Sequence, residues 1–481
     1  MGGRARPLRF RELSLPAEAL LRLAESDPAT HPVLFDSASR GPLARHSVLV
    51  SAAGGDALWL GRDGRLGARG AAARHASGAA GFLDALERWW RDEAATAGFE
   101  AGAAGPRPEA GSDESAQPWR GGFAVFAGYE LAAEVEPTLR LPATPLPYVA
   151  FAVRTRAALV ADLERGRVRA VAEDDGSGEA RLRQLEEAAR AALGAGTTRT
   201  AVPAAPPPIV EDDPAEFLGR VLQVQELIRA GELYQANLSR GWQALLPEGA
   251  WAGALYRGLR AANPAPFAVR CEWDGVAILS SSPERLMRIE SGRISTRPIA
   301  GTRPRRAGDA ADREARIELV AHPKERAEHV MLIDLERNDL GRVCVAGSVR
   351  VEDFMSIESY AHVHHIVSGV AGTLRAGVTP VGALRAVFPG GTITGCPKVR
   401  CMRAIGELER AGRGAYTGSI GMLGLDGSAD FNILIRTLVV AGGVASLRAG
   451  AGIVADSIPE RELEETRAKA RGVLAALESL R

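Results

Sequence analysis

Residues 215–246 read AEFLGRVLQVQELIRAGELYQANLSRGWQALL, and two different periods meet inside them. Behind Pro214, Phe217, Leu218, Val221, Val224 and Leu227 recur at the spacing that lays apolar side chains along one stripe of a helix. From Tyr234 the run YQANLSRGWQALL alternates as a strand does, and so do FAVRCEW (267–273) and GVAILSS (275–281). Strands and helices follow one another without regular βαβ alternation. That mixture argues for an α+β sheet assembly over a doubly wound parallel sheet.

The same reading extends toward the N-terminus. HPVLFDSA (31–38), HSVLVSA (46–52), GGFAVFAGYEL (121–131) and YVAFAVRTRAALVADL (148–163) read as strands bounded by turns, with a helix predicted over AAGFLDALERWWRDEA (79–94). Two segments punctuate the chain. Residues 99–118 are rich in Gly, Ala, Ser, Pro and Glu, as in a surface loop, and residues 195–214 carry a Pro-Pro-Pro run that favours extended backbone. They separate an N-terminal portion, 1–195, from a C-terminal portion, 215–481.

Composition narrows the class. Lys plus Arg and Asp plus Glu each number 59, so no net field draws the molecule to nucleic acid or to an anionic membrane. The four cysteines show no metal-ligand spacing and read as reduced thiols. No run of 18 apolar residues and no signal-like segment occurs. A cytoplasmic protein is expected.

Several residue patterns carry chemistry. Glu325 and Glu328 lie three apart behind Pro323, and Glu462 and Glu465 do the same near the C-terminus. Each pair falls on one helix face, where it suits either Mg²⁺ or a solvated surface. FPGGTITGCPK (388–398) and AGAGIVADS (449–457) offer glycine turns whose amides can approach a carboxylate. Glu284 follows an apolar strand and becomes a proton donor if burial raises its pKa. Arg436 stands in the apolar run ILIRTLVV, where a guanidinium demands an anionic partner. His365 suits a substrate carboxylate or a core position. RPIAGTRPR (297–305) reads as a turn in which three arginines surround Ala300, a residue with no side chain that attacks anything.

SSPERL, RPIAGTRPR, KERAEHVMLIDLERNDLGR, HHIVSGVAGTL, FPGGTITGCPKVRCM, YTGSIGMLGLDG, IRTLVV and AGAGIVADSIPERELEET occur in an order that closely resembles the chorismate-utilising enzymes. That family includes the synthase subunits of anthranilate and aminodeoxychorismate synthases and the isochorismate and salicylate synthases. The similarity is dense from about residue 212 onward. It implies two large antiparallel sheets packed as a sandwich with outer helices. It also implies Glu328 and Glu465 as Mg²⁺ ligands with Glu325 and Glu462 beside them, and the ring carboxylate of chorismate on the metal. Gly450 and Gly452 would offer amides to a substrate carboxylate, Tyr416 and Arg436 would hold the enolpyruvyl carboxylate, and Thr392, His365 and Lys469 would line the pocket. Glu284 matches the acid that protonates the departing 4-hydroxyl.

Gln235 stands where the water-using members resemble one another in carrying lysine, and an amide is no base, so ammonia is the expected nucleophile. YQANLS, VHHIVS and PGGTITGCPK resemble the aminodeoxychorismate branch, where the anthranilate branch shows FQVVLS, MHLVS and PAGTLSGAPK-like versions. Ala300 points the other way, since it occupies the place of that branch's PIKGT lysine nucleophile. The expectation is amination of chorismate to 4-amino-4-deoxychorismate, toward para-aminobenzoate and folate, with anthranilate synthesis as the rival and a non-catalytic regulatory homologue as a third possibility. No glutamine amidotransferase segment is read in the chain, so a separate glutaminase subunit is the expected ammonia source. VLFDSASRGPLARHSVLVSA resembles the family's tryptophan pocket, with Asp36, Ser37 and His46 near it.

Overall fold

Asp213 accepts a hydrogen bond from the Ala215 amide at 2.9 Å and Pro214 opens the helix Pro214–Arg229, which buries Phe217, Val221 and Val224. The computed structural model describes residues 8–39, 43–52, 54–99, 117–195, 206–249, 251–306, 308–359 and 363–480. Most of the two expected punctuating segments, residues 100–116 and 196–205, lies outside the described residues. After the helix comes the strand Gln235–Leu245, which alternates at its ends but is buried continuously in the middle. Arg240 causes part of that continuity: it pairs with Glu211 and lies over the rings of Trp242, at 5.1 Å, and Phe217, at 6.0 Å.

The strands form one 12-stranded and one 11-stranded sheet, and the paired strands described in both are antiparallel. In the larger sheet, N-terminal strands join C-terminal ones where Val33–Asp36 pairs Phe267–Trp273. In the smaller sheet the junction is Gly122–Ala127 against Ser419–Leu423.

Side chains from both sheets, among them Val48, Phe126, Phe151, Val269, Trp273 and Ile420, make one core between them. Two further cores lie outside. Trp89 and Trp90 of Phe82–Thr96 cover one sheet, and Leu182, Leu255 and Val473, from three separate helices, cover the other. The architecture is therefore the expected α+β sandwich with outer helices. The helix Ala252–Ala262 was not anticipated, because Gly253, Gly258 and four alanines dilute its stripe of Leu255, Tyr256 and Leu259.

Among the described residues no helix is long and apolar enough to cross a membrane. The four cysteines are free, with Cys271, Cys344 and Cys401 buried and Cys396 half-buried.

Candidate functional site

Glu284 lies between the strands Val276–Ser282 and Arg285–Glu290, with its side chain buried. Thr392 Oγ1 donates to Glu284 Oε1 at 2.8 Å. Burial pushes the carboxyl up to about 7, against the lowering effects of the Thr392 hydrogen bond and of the charges on Lys469 and Arg436. The group is thus a carboxylic acid that still holds much of its proton near neutrality, with two cations at hand to stabilise it once the proton has gone.

Arg436 does not belong to a strand, as its apolar neighbours suggested. The strand begins one residue later, at Thr437, and Arg436 takes φ 51°, in the left-handed region. That kink interrupts the alternation of the apolar run. Burial lowers the Arg436 pKa and the charge of Glu284 opposes the shift, while its Nη1 reaches Asn263 Oδ1 at 3.4 Å. The charge of Glu284 offsets part of the cost of burying this guanidinium.

His365, on the strand Val363–Thr373, is buried and hydrogen-bonded with the Gly301 backbone. Burial, helped by the Arg436 charge, drives its pKa down to about 4, so the ring is neutral at ordinary pH. Ala300 pairs with Ile366 in the neighbouring strand Ile299–Pro304, and the register shifts between Ala300 and Thr302, where Gly301 has φ 72°.

RPIAGTRPR is thus mostly strand where a turn was expected. Its arginines are engaged by carboxylates of the protein itself: Arg297 by Glu358, Arg303 by Glu325 at 3.0 Å and Arg305 by Asp312 at 2.9 Å.

The opposite wall comes from the larger sheet. The strands Gln235–Leu245 and Val444–Ile453 pair with Asn237 opposite Gly452 and Ser239 opposite Gly450. A Cβ at Gly450 would lie 2.5 Å from the Leu238 carbonyl oxygen, 2.6 Å from Asn237 Oδ1 and 2.7 Å from the Tyr416 hydroxyl. At Gly452 it would overlap Gln235 Nε2. Lys469 Nζ donates to the Gly450 carbonyl at 3.0 Å and pairs with Glu465 at 2.7 Å. Tyr416 is buried, and burial pushes its hydroxyl up to about 12, so it serves as a neutral donor.

Gly390 and Gly391 serve packing: a Cβ on Gly390 would meet Ile433 Cδ1 at 2.9 Å, and one on Gly391 would meet Leu335 Cδ2 at 2.5 Å. Lys398, at the start of the helix Lys398–Glu409, pairs with Asp339 and donates to the Pro389 carbonyl at 2.8 Å, tying down the same turn.

A buried ionic network that sequence reasoning missed braces both walls. Arg413 Nη2 donates to Glu409 Oε1 at 2.6 Å and to the Asn237 carbonyl at 2.7 Å, while Nη1 reaches the Ile393 carbonyl at 3.3 Å. Its guanidinium also lies over the rings of Tyr129 and Tyr416, at 4.9 and 5.5 Å. Glu409 Oε1 accepts from the Ser239 amide at 2.7 Å, and Oε2 accepts from Arg448 at 3.1 Å. Burial alone would raise Glu409, but Arg413 and Arg448 outweigh it and hold the carboxylate below its usual range. On the other side of Thr392, Glu336 is buried and held well above the usual carboxylate range by burial and by Asp339. A glutamate before an Arg-Asn-Asp run gave no sign of such burial.

Glu325 and Glu328 lie on the helix Pro323–Gly341, which opens on the expected Pro323, and Glu462 and Glu465 lie on Pro459–Glu478. All four are hard oxygen donors of the type Mg²⁺ takes. Among the described residues no three His, Cys, Asp or Glu side chains gather as a ligand set. Glu325 is paired with Arg303 at 3.0 Å and Glu465 with Lys469 at 2.7 Å, so an ion at these carboxylates would replace or share those cations.

Asp36, Ser37 and His46 line a separate cavity of about 310 Å³ between the sheets, together with Phe267, Arg285 and Asp430. Asp36 is held by Ser47 Oγ at 2.8 Å, the Tyr256 hydroxyl at 3.0 Å and Arg260 at 2.9 Å. Ser37 Oγ donates to the His46 carbonyl at 2.7 Å. Burial lowers the His46 pKa, with Asp162 opposing the shift.

A buried acid, a paired cation and a glycine-lined wall come from both sheets, and residues 74–475 match the family of chorismate binding enzymes. The chain belongs to that family. Among chorismate binding enzymes, it is 44% identical over 310 residues to aminodeoxychorismate synthase component 1 of Bacillus subtilis, covering 63% of this chain and 65% of that protein. It is 47% identical over 258 residues to anthranilate synthase component 1 of the same organism, covering 54% of this chain and 50% of that protein. The matched region thus spans between half and two thirds of the length of these relatives. The crystal structure of anthranilate synthase component I from Streptococcus pneumoniae aligns with a TM-score of 0.72 and 29% identity, over 90% of this chain and 93% of that one.

Proposed function

We propose that this chorismate binding enzyme aminates chorismate with ammonia, giving 4-amino-4-deoxychorismate and water. The observation that carries the reading is Glu284, a buried acid bonded to Thr392 and facing Arg436 and Lys469. In the net reaction a C–N bond forms at carbon 4 and the C4–O bond breaks. Glu284 gives its proton to the departing hydroxyl, which leaves as water, and recovers one from the amine. Arg436 and Tyr416 hold the enolpyruvyl carboxylate, Gly450 and Gly452 face a second carboxylate, and neutral His365 and Thr392 shape the pocket. Mg²⁺, when bound by Glu328 and Glu465 with Glu325 and Glu462 beside them, neutralises the ring carboxylate. Gln235 supplies no base, which supports ammonia over water as nucleophile. A separate glutamine amidotransferase subunit is the proposed ammonia source, acting with this chain in the cytoplasm.

Ala300 and the anthranilate synthase relative support a second reading, in which addition of ammonia at carbon 2 expels the 4-hydroxyl as water and subsequent loss of pyruvate yields anthranilate. The deciding experiment incubates the purified chain with chorismate, Mg²⁺ and ammonium. An aminated product that retains its enolpyruvyl group is expected, and EDTA should abolish its formation. Fluorescent anthranilate with released pyruvate would establish the second reading instead. The cavity lined by Asp36, Ser37 and His46 combines apolar walls with charges of both signs, and we assign it to an amino acid such as tryptophan.

A further inference from the structure

Two side-chain carbonyl oxygens on the glycine-lined wall are buried and receive no hydrogen bond: Gln235 Oε1 and Asn237 Oδ1. Their residues stand two apart on the strand Gln235–Leu245 and so share one face. An unsatisfied buried acceptor is costly to retain unless a ligand satisfies it. Two of the nearby donors are committed elsewhere. Arg413 Nη2 goes to the Asn237 backbone carbonyl and not to its side chain. Lys469 Nζ goes to the Gly450 carbonyl and to Glu465.

The wall also adjoins the acid. The Asn237 amide donates to the Thr394 carbonyl at 3.0 Å, two residues along the turn from the Thr392 hydroxyl that holds Glu284. With no side chain at Gly450, Asn237 Oδ1 and the Tyr416 hydroxyl close in on the same point of the wall, 2.6 and 2.7 Å from where a Cβ would stand.

We propose that Asn237 binds the nucleophile: its side-chain carbonyl, together with that of Gln235, accepts N–H hydrogen bonds from the attacking ammonia. The inference rests on the ammonia-using reading above. Ammonia carries three N–H donors and one lone pair, so two acceptors fix its orientation and leave the lone pair free to attack. Water held in the same place would still need a base, and neither amide provides one.

The test uses the full chain with Mg²⁺, chorismate and ammonium chloride as the nitrogen source. N237V should raise the KM for ammonium about tenfold, the worth of one hydrogen bond of ordinary strength, while the KM for chorismate stays within about twofold. N237T has the shape of valine and keeps an oxygen acceptor, so it should recover a large part of the loss. If neither folds, N237S against N237A makes the same comparison. An ammonium KM unchanged in the variant lacking the acceptor, or a chorismate KM rising in parallel with it, overturns the inference while wild-type turnover leaves the functional reading intact. Failure of the wild-type chain to consume chorismate with ammonium would instead remove that reading, and the inference with it.

Discussion

Thr392 Oγ1 donates a 2.8 Å hydrogen bond to Glu284 Oε1, and this bond favours the ionised carboxylate. Thr392→Val removes it. The acid then holds its proton to higher pH, so the alkaline limb of kcat/KM for chorismate should move upward by about one pH unit. A limb that stays in place would show that another group titrates there.

Glu284→Gln cannot release a proton to the leaving hydroxyl. We expect kcat to fall by about 10²–10⁴ with chorismate binding retained, measured by steady-state turnover and direct ligand titration. Stability should respond as well. Because burial raises the folded carboxyl from 4.5 to about 7, its neutral form is favoured in the fold, and wild-type stability erodes as pH rises through that window. The variant lacks this loss. Its stability relative to wild type should therefore climb by about 3 kcal/mol between pH 4 and pH 8 in denaturant titrations.

Gly450→Ala and Gly452→Ala should differ. A Cβ at Gly450 would strike the backbone carbonyl of Leu238 at 2.5 Å, which yields only if two paired strands move, whereas the atom met at Gly452 is the free end of Gln235. The first variant should lose nearly all activity and unfold at lower temperature. The second should keep its melting temperature and show a raised KM for ammonium.

Glu409→Ala strands the buried guanidinium of Arg413, which braces Asn237, Ile393 and Tyr416. Losing one partner of such a pair costs about 3–5 kcal/mol. Thermal unfolding should register it as a fall of several degrees.

L-tryptophan at millimolar concentration should raise the melting temperature if it occupies the 310 Å³ cavity lined by Asp36, Ser37 and His46. Met422→Trp, which fills that cavity from its wall, should abolish the shift. An unchanged melting temperature in the wild-type chain would mean that the cavity takes another ligand.

The features legible in the sequence are those fixed by local chemistry. Pro323 opens its helix because proline suits the first helical position. Glu284 sits at a strand end as its neighbours implied. Features that depend on distant partners were not legible. Nothing near Glu409 and Arg413 in the sequence marks them as buried, yet Arg413 meets the carbonyl of Asn237 across 176 residues of chain. RPIAGTRPR reads as a turn because its arginines stand close together in the sequence, whereas Glu358, Glu325 and Asp312, which engage them, lie outside the stretch. Arg436 was read into a strand because a single left-handed residue leaves no compositional trace.

The two halves of the chain pair their backbones at one strand junction in each sheet, Val33–Asp36 with Phe267–Trp273 and Gly122–Ala127 with Ser419–Leu423, and share the core between the sheets. Residues 1–195 and 206–481 made as separate polypeptides would each carry two raw strand edges of matching register. Alone, each fragment should aggregate through those edges, and coexpressed they should find one another and regain activity, an enzyme divisible into complementing pieces along two seams.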